Sequence, residues 1–311
     1  MREKLVISIG GEVLASNQGF TIGDQKQKAC ELANALVQIL SSELDIVILH
    51  GNKPQIGYVL FRAELASHIL HPIPLDVCGA DTQGATGYLL DQALRNSLKK
   101  NNIARDVITI VTQAVVDKQE PISEKAVGPW FDRVKANQYR QMRGWTITEE
   151  PGRGFRRTVP LLPAKEIIGA HQIQKLSETG TIVIAAGGGG IPVYYNEKGD
   201  LEGIEAVVQS PQAARIIANE IGADTLLFVI ENDTKFNNEK LTAESLVEMS
   251  LEEVDYLLKN NRIYSNTVSS ILQSASDFLH EKGEKVVITT LKKLEKTTQE
   301  QNGLIIKKQF E

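Results

Sequence analysis

Three short stretches of this chain put glycine just after a run of apolar, β-branched residues. They are Gly10-Gly11-Glu12, His50-Gly51-Asn52-Lys53-Pro54-Gln55-Ile56-Gly57 and Gly187-Gly188-Gly189-Gly190-Ile191-Pro192. Glycine carries no Cβ, so its backbone N–H can come close to an anion. A helix that starts just after such a bend adds unpaired N–H groups and the positive end of its dipole. One glycine pair would serve a plain turn, but four consecutive glycines after a strand are harder to explain that way. Three such loops together point to a phosphate-type anion. His50 could touch that anion or cap its own loop, while His68, His71, His171 and His280 read as surface or structural. No loop gives the Walker spacing, and none gives Gly-x-Gly-x-x-Gly with a properly placed acid. A P-loop NTPase and a dinucleotide dehydrogenase are both disfavoured.

These loops need strands to end at them. Short apolar runs alternate with longer amphipathic stretches along the chain. Leu5–Ile9, Asp45–Leu49, Asp106–Thr112, Thr181–Ala186, Thr225–Ile230 and Lys285–Thr289 read as strands. Gln25–Ser41, Gly57–His68, Ala85–Leu98, Pro211–Ile221, Leu251–Lys259 and Ser269–Lys282 carry helical spacing. That alternation predicts βαβ units and a mainly parallel sheet covered on both faces. Ligands of such sheets lie beyond the carboxyl ends of the strands. Residues 116–163 break the rhythm with five prolines, both tryptophans and Gly152-Arg153-Gly154-Phe155-Arg156-Arg157, so an inserted subdomain is expected there.

Composition narrows the partners. The chain has 311 residues and a formal net charge of −5, and three clustered arginines make a weak nucleic-acid footprint. They suit a small anion, a lid contact or a dimer contact. No apolar stretch approaches the ~20 residues that span a membrane, and no leader precedes the first strand. A cytoplasmic protein without membrane or nucleic-acid partner is expected. Cys30 and Cys78 form neither a disulfide framework nor a metal pattern, and both are expected as buried thiols.

Taken together, the loops resemble those of the carbamate kinases, a branch of the amino-acid kinase family. The resemblance runs along nearly the whole chain. It rests on Ile9-Gly10-Gly11, His50-Gly51-Asn52-x-Pro54-Gln55-x-Gly57, Pro74-Leu75-Asp76, Thr82-Gln83-Gly84-x-x-Gly87-Tyr88 and Thr112-Gln113-x-Val115-Val116-Asp117-Lys118. It continues through Gly128-Pro129, Gly152-Arg153-Gly154-Phe155-Arg156-Arg157-x-Val159-Pro160 and Gly187-Gly188-Gly189-Gly190-Ile191-Pro192-Val193. The resemblance implies one αβα sandwich domain of the amino-acid kinase type over 1–311, and a homodimer. Residues 1–200 would form the carbamoyl-phosphate half, with a lid inserted at about 116–163, and 201–311 the nucleotide half. It also implies phosphoryl transfer between ATP or ADP, with Mg²⁺, and carbamate or carbamoyl phosphate, a transfer to a carboxyl-group acceptor in arginine metabolism. Gly10, Gly11, Glu12, His50, Gly51, Asn52, Gln83 and Gly84 would then face the carbamoyl ligand. Gly187, Gly188, Gly189, Gly190 and Asp233 would face nucleotide, and Lys125 would stand at the place of a lid lysine. No metal ligand set occurs as a motif.

Phosphoryl transfer needs positioning and positive charge on the transferred oxygens. The chain departs from the family pattern where that charge is carried. The family's Ile-Asp-Lys-Asp reads Val208-Gln209-Ser210-Pro211, and a later lysine position reads Ile271. An asparagine of the first loop is Glu12, and a glycine of the second is Lys53. Glu12 and Lys53 are expected to face each other across the phosphate cradle. Lys53 could also stand in for a lost lysine, and both could be plain surface residues. The same scaffold without turnover would be a ligand-binding or regulatory protein, a pseudokinase.

Overall fold

The computed structural model describes residues 2–15, 21–40, 43–119, 123–231, 246–260, 262–263, 265–294 and 303–309. Strand β1 (Glu3–Ile9) ends at Gly10 and a 3-10 turn over Gly11–Leu14. Helix α1 (Ile22–Val37) starts at Thr21, whose hydroxyl accepts from the Asp24 N–H while the Asp24 carboxylate accepts from the Thr21 N–H. That reciprocal pair fixes the helix start. There follow β2 (Leu44–His50), α2 (Lys53–Leu65), α3 (Leu75–Lys100), β3 (Val107–Thr109) and β4 (Gln113–Val116). The next segment holds β5 (Ser123–Phe131), α4 (Arg133–Arg143), β6 (Ile147–Glu150) and β7 (Gly154–Leu162). The chain goes on through β8 (Ala164–Ile167), α5 (Ala170–Glu178), β9 (Ile182–Ile184), β10 (Ile191–Tyr195), β11 (Leu201–Gly203) and β12 (Val207–Val208). Last come α6 (Ser210–Ile221), β13 (Thr225–Ile230), β14 (Leu246–Ser250), α7 (Leu251–Lys259), α8 (Asn266–His280), β15 (Lys285–Thr290) and β16 (Gly303–Lys307).

The central sheet has the order β14-β16-β15-β13-β1-β2-β9-β3, and all its pairs are parallel except β15–β16. Its middle strands are apolar without interruption because both faces are covered. Alternate residues of β1 serve opposite faces: Ile7 packs with Leu32, Leu36 and Leu90 of α1 and α3, and Val6 with Ile173, Ile217 and Phe278 of α5, α6 and α8. Helix, sheet and helix thus form three layers. Every expected strand and helix is present, but α3 starts at Leu75, ten residues before the expected Ala85. Its glycines obscured the helix in the sequence. Gly87 is held there by close packing, since a Cβ would meet the Thr109 Cγ2 at 2.3 Å.

Cys78 is buried as expected, whereas Cys30 is exposed. Its place on α1 lies beside the core residues Ala29 and Leu32 but turns outward. Among the described residues no helix is long and apolar enough to cross a membrane. The inserted segment pairs β5, β6, β7 and β12 in a sheet of its own. Its small core joins Phe131, Tyr139 and Trp145 to Phe61 of α2, with Phe61 edge-on to all three rings. Glycine seats it on α2: a Cβ at Gly57 would lie 2.0 Å from the Gly128 nitrogen.

Candidate functional site

Strands β1 and β2 run side by side with Ile9 opposite His50, so the bends that follow them touch. A Cβ on Gly51 would lie 2.5 Å from the Gly11 nitrogen, and one on Gly11 would lie 3.1 Å from the nitrogens of Asn52 and Lys53. Only glycine lets those two loops close. The third loop locks onto them from β9. A Cβ on Gly187 would stand 2.6 Å from the His50 ring, and one on Gly188 2.3 Å from the Asn52 amide. Gly188, Gly189 and Gly190 take φ of 70°, 96° and 102°, a region that favours glycine. The glycine bends therefore converge on one place, at the carboxyl ends of adjacent strands and at the N-terminus of α2.

Buried side chains brace the convergence. Gln83 of α3 donates to the carbonyls of Thr112 and Gly187, and its own carbonyl accepts from the Thr112 N–H at 2.8 Å. Asn52 donates to the Thr82 hydroxyl at 2.8 Å. Gln83 and Asn52 thus fasten loops to each other. Gly84, next on α3, is exposed, with no atom within 4 Å of where its Cβ would be. His50 is buried, its Nδ1 3.2 Å from the Gly51 carbonyl oxygen. Burial pushes its pKa down to about 4, and the contact with Gly51 opposes this only in part. The imidazole is neutral at pH 7 and caps its loop.

Charge gathers at the same place. Lys53 Nζ lies 3.6 Å from Glu12 Oε1, so the expected facing pair forms. Lys125 of β5 and Arg156 of β7 complete the group. Burial works to raise the Glu12 carboxyl, but Lys53, its own backbone N–H, Lys125 and Arg156 outweigh it and hold Glu12 below the usual range. Burial, followed by the Lys53 charge, lowers the Lys125 amine to about 7. Arg156 donates to Glu150 at 3.2 Å and lies 4.6 Å over the Trp130 ring, while its Nε has no partner among the described residues. The arginine cluster is thus divided. Arg157 pairs with Glu64 and stacks on Trp145, and Arg153 lies over Trp130. The alternation of a strand decides this, because neighbouring side chains leave opposite faces. Singling out Arg156 was beyond a reading that treated the three arginines as one cluster.

The other half offers less charge. Gln209 is the N-cap of α6 and Ser210 its first residue. Arg215, the one basic residue of α6, pairs with Glu281 at 3.0 Å. Ile271 packs in the core with Val268, Leu272 and Ala275, so position 271 faces away from the site. No register restores the missing charge, because α8 contains neither lysine nor arginine. Asp233 lies outside the described residues. Asp117, at the start of the insertion, pairs with Lys165 at 2.9 Å. Among the described residues no three His, Cys, Asp or Glu side chains cluster as a metal site.

Residues 3–290 match the Amino acid kinase family. The carbamate kinase of Pyrococcus horikoshii is 35% identical over 303 residues, covering 94% of this chain and 95% of that protein. The carbamate kinase-like protein YahI of Escherichia coli is 34% identical over 303 residues, covering 93% and 94%. Among solved structures, carbamate kinase from Giardia lamblia bound to citric acid superimposes with a TM-score of 0.91 at 26% identity, covering 98% of each chain. The same enzyme bound to AMP-PNP gives 0.85 at 26% identity, again covering 98% of each chain. The fold, the glycine bends and these matches agree: the chain belongs to the amino acid kinase family, among its carbamate kinase relatives.

Proposed function

We propose that this protein binds a carbamoyl-phosphate-class anion where its glycine bends converge, and exchanges the phosphoryl group with ADP or ATP as a slow carbamate-kinase-type enzyme. One observation carries the reading: Lys53, Lys125 and Arg156 surround Glu12 at that point. Glu12 and Glu150 offset two of these cations, so the cradle is net positive when Lys125 is protonated. In this reading Gly11 and Asn52 bring backbone N–H groups to the phosphoryl oxygens, while the N–H groups of Gly10 and Gly51 donate to the Val229 and Ile9 carbonyls and fix the bends, and the three cations neutralise the charge that spreads over the phosphoryl group. Gly187–Gly190, at the end of the 1–200 half, and Asp233 are assigned to the nucleotide side from the family resemblance, and a relative has been solved bound to AMP-PNP. Residues 1–200 carry the carbamoyl side, with the insertion as its lid, and 201–311 the nucleotide side. The family's homodimer is part of the same proposal. A nucleotide would bring Mg²⁺ on its own phosphates, where the metal would add further positive charge.

A second reading has its own support. The starts of α6 and α8 offer no unpaired lysine or arginine among the described residues. A binder without transfer fits that feature. A coupled assay of ATP formation from ADP and carbamoyl phosphate, run beside thermal melts with each ligand, separates the two. We expect turnover ~10²–10³-fold below a kinase that keeps its lysines, abolished by Lys125→Met. Stabilisation by carbamoyl phosphate with no ATP at any enzyme concentration would favour the binder. Neither stabilisation nor turnover would reject both.

A further inference from the structure

Around the glycine bends, Gln83 makes three hydrogen bonds, Asn52 donates to Thr82, and the His50 ring contacts the Gly51 carbonyl. Gln55 does not follow them. It is 5% exposed, and neither its amide oxygen nor its amide nitrogen has a hydrogen-bond partner among the described residues. It is the third residue of α2, whose N-cap is Asn52. A glutamine at that position can reach back and accept from the N–H of the N-cap residue. Gln55 makes no such bond, so the Asn52 N–H is left to the bend.

The surroundings of Gln55 supply another partner. It lines a cavity of about 10 Å³ with Leu14 of the first bend, Gln25 and Ala29 of α1, and Thr86 and Leu89 of α3. That volume admits one water-sized molecule. Among the described residues no charged side chain lines it, so an ion there would lose its hydration without a counter-charge. A neutral molecule that both donates and accepts suits the walls. The Gln55 amide offers an acceptor and two donor hydrogens, and the hydroxyl of Thr86, a residue 4% exposed, can do either.

We propose that this cavity is a binding site for one water molecule, held between the Gln55 amide and the Thr86 hydroxyl as a fixed part of the fold. A buried amide without partners forfeits the bonds it makes to water in the unfolded chain. One retained water returns them, given a polar cavity of this size with two or more partners. The water joins the start of α2 to α3 directly behind the anion bends, and it holds the Gln55 oxygen away from the Asn52 N–H. Neither the site nor its test depends on turnover or on anion binding.

The test uses the full chain and oxygen-17 relaxation dispersion of water, which counts internal waters by their long residence. Gln55→Met removes the donors and the acceptor at nearly the same volume. We expect that variant to show one long-lived water fewer than the unaltered protein and to melt lower, and Thr86→Val to lose the same water. A dry amide would behave in the opposite way. Gln55→Met would then keep the water count and melt higher, because an unpaired buried amide would be gone, and that result would overturn the site. A crystal structure of the unaltered protein keeps the test valid even if a variant misfolds. Density for a water within hydrogen-bond distance of the Gln55 amide and the Thr86 hydroxyl is expected, and a cavity without it would overturn the proposal.

Discussion

Gly57→Ala tests how the insertion governs the cation cluster. A Cβ at Gly57 would stand 2.0 Å from the Gly128 nitrogen, 2.3 Å from the Gly128 Cα and 2.6 Å from the Val127 carbonyl carbon. All three are backbone atoms, so no rotamer change relieves the contact. Reaching an ordinary van der Waals separation requires α2 and β5 to part by about 1.4 Å. Such overpacking costs about 1–3 kcal/mol, against which alanine gains up to about 1 kcal/mol over glycine inside a helix. Stability alone is therefore a blunt readout. Position is sharper: Lys53 begins α2 one turn before Gly57, and Lys125 lies three residues before Gly128 on β5. Separating the two elements exposes Lys125 and pulls these amines apart, easing both the burial and the Lys53 repulsion that lower it. A displacement near 1 Å can also cost ~10²-fold in a step that depends on positioning.

The assay is the pH dependence of Lys125 labelling by an amine reagent, quantified on its peptide, together with the thermal melt. Gly23→Ala is the control, since a Cβ there meets only the Thr21 hydroxyl at 3.5 Å. We expect Gly23→Ala to melt at or above the unaltered protein, with the Lys125 midpoint still at about 7. Gly57→Ala should melt lower and shift that midpoint upward. If Gly57→Ala behaves like Gly23→Ala in both measurements, the seating of the insertion on α2 does not set the Lys125 environment, and the argument fails.

Four further outcomes are expected. Gly188→Ala, at φ 70° and with a Cβ 2.3 Å from the Asn52 amide, should destabilise the fold by about 1–3 kcal/mol and weaken anion binding, as chemical denaturation and ligand titration would measure. His50 titrates in the fold at about 4 against an ordinary 6.5, so the unfolded chain binds more protons between those values. Stability should fall by about 3 kcal/mol as pH drops through that window, and His50→Gln should flatten the denaturation profile there. Lys125 is lowered from 10.5 to about 7, so the fold should gain stability as pH rises between those values, a slope that Lys125→Met removes. Anion affinity should run the other way, weakening by at most about tenfold per pH unit above 7, because one proton is linked. In a cycle of Glu12→Gln and Lys53→Met the stability coupling should stay below about 1 kcal/mol, since Glu12 is 43% exposed. The Lys125 midpoint should nevertheless fall in the first variant and rise in the second. An unmoved midpoint would separate Lys125 from the pair.

What could be read from the sequence was what the backbone imposes. The bends at Gly11, Gly51 and Gly187 were visible because close approach restricts residue type, as positive φ does at Gly188, Gly189 and Gly190. The parallel sheet was visible because strands covered on both faces stay apolar throughout. The start of α3 was hidden, because Gly79, Gly84 and Gly87 weaken its local helix propensity while tertiary packing holds the helix. Cys30 was misjudged for a related reason: an apolar stretch names a helix but not which of its positions turn outward. At Ile271 the motif spacing placed a lysine position on a helix face that packs inward, which only the core itself reveals. The arginine cluster could not be divided without knowing which alternate residues of β7 face the site.

The two charge changes in the first loops make sense only together. A lysine at 53 alone would face Lys125 and Arg156, three cations in one half-buried place with only Glu150, on Arg156, to offset them. A glutamate at 12 alone would put a fixed negative charge where the backbone N–H groups of α2 await an anion. With both present, Glu12 takes Lys53 as its partner and Lys53 lowers Lys125. The cradle acquires an amine that titrates near neutrality, and its net charge turns on that one proton. Among the described residues α6 and α8, on the side where nucleotide would lie, offer no unpaired lysine or arginine, and charge has been rearranged on the side where the small anion would lie. Loss without design would leave the glycine interlocks free to fill with side chains, but Gly11, Gly51, Gly187 and Gly188 each still stand where a Cβ would collide. The glycine interlocks that would hold a small anion are intact, and what differs is the proton inventory around them.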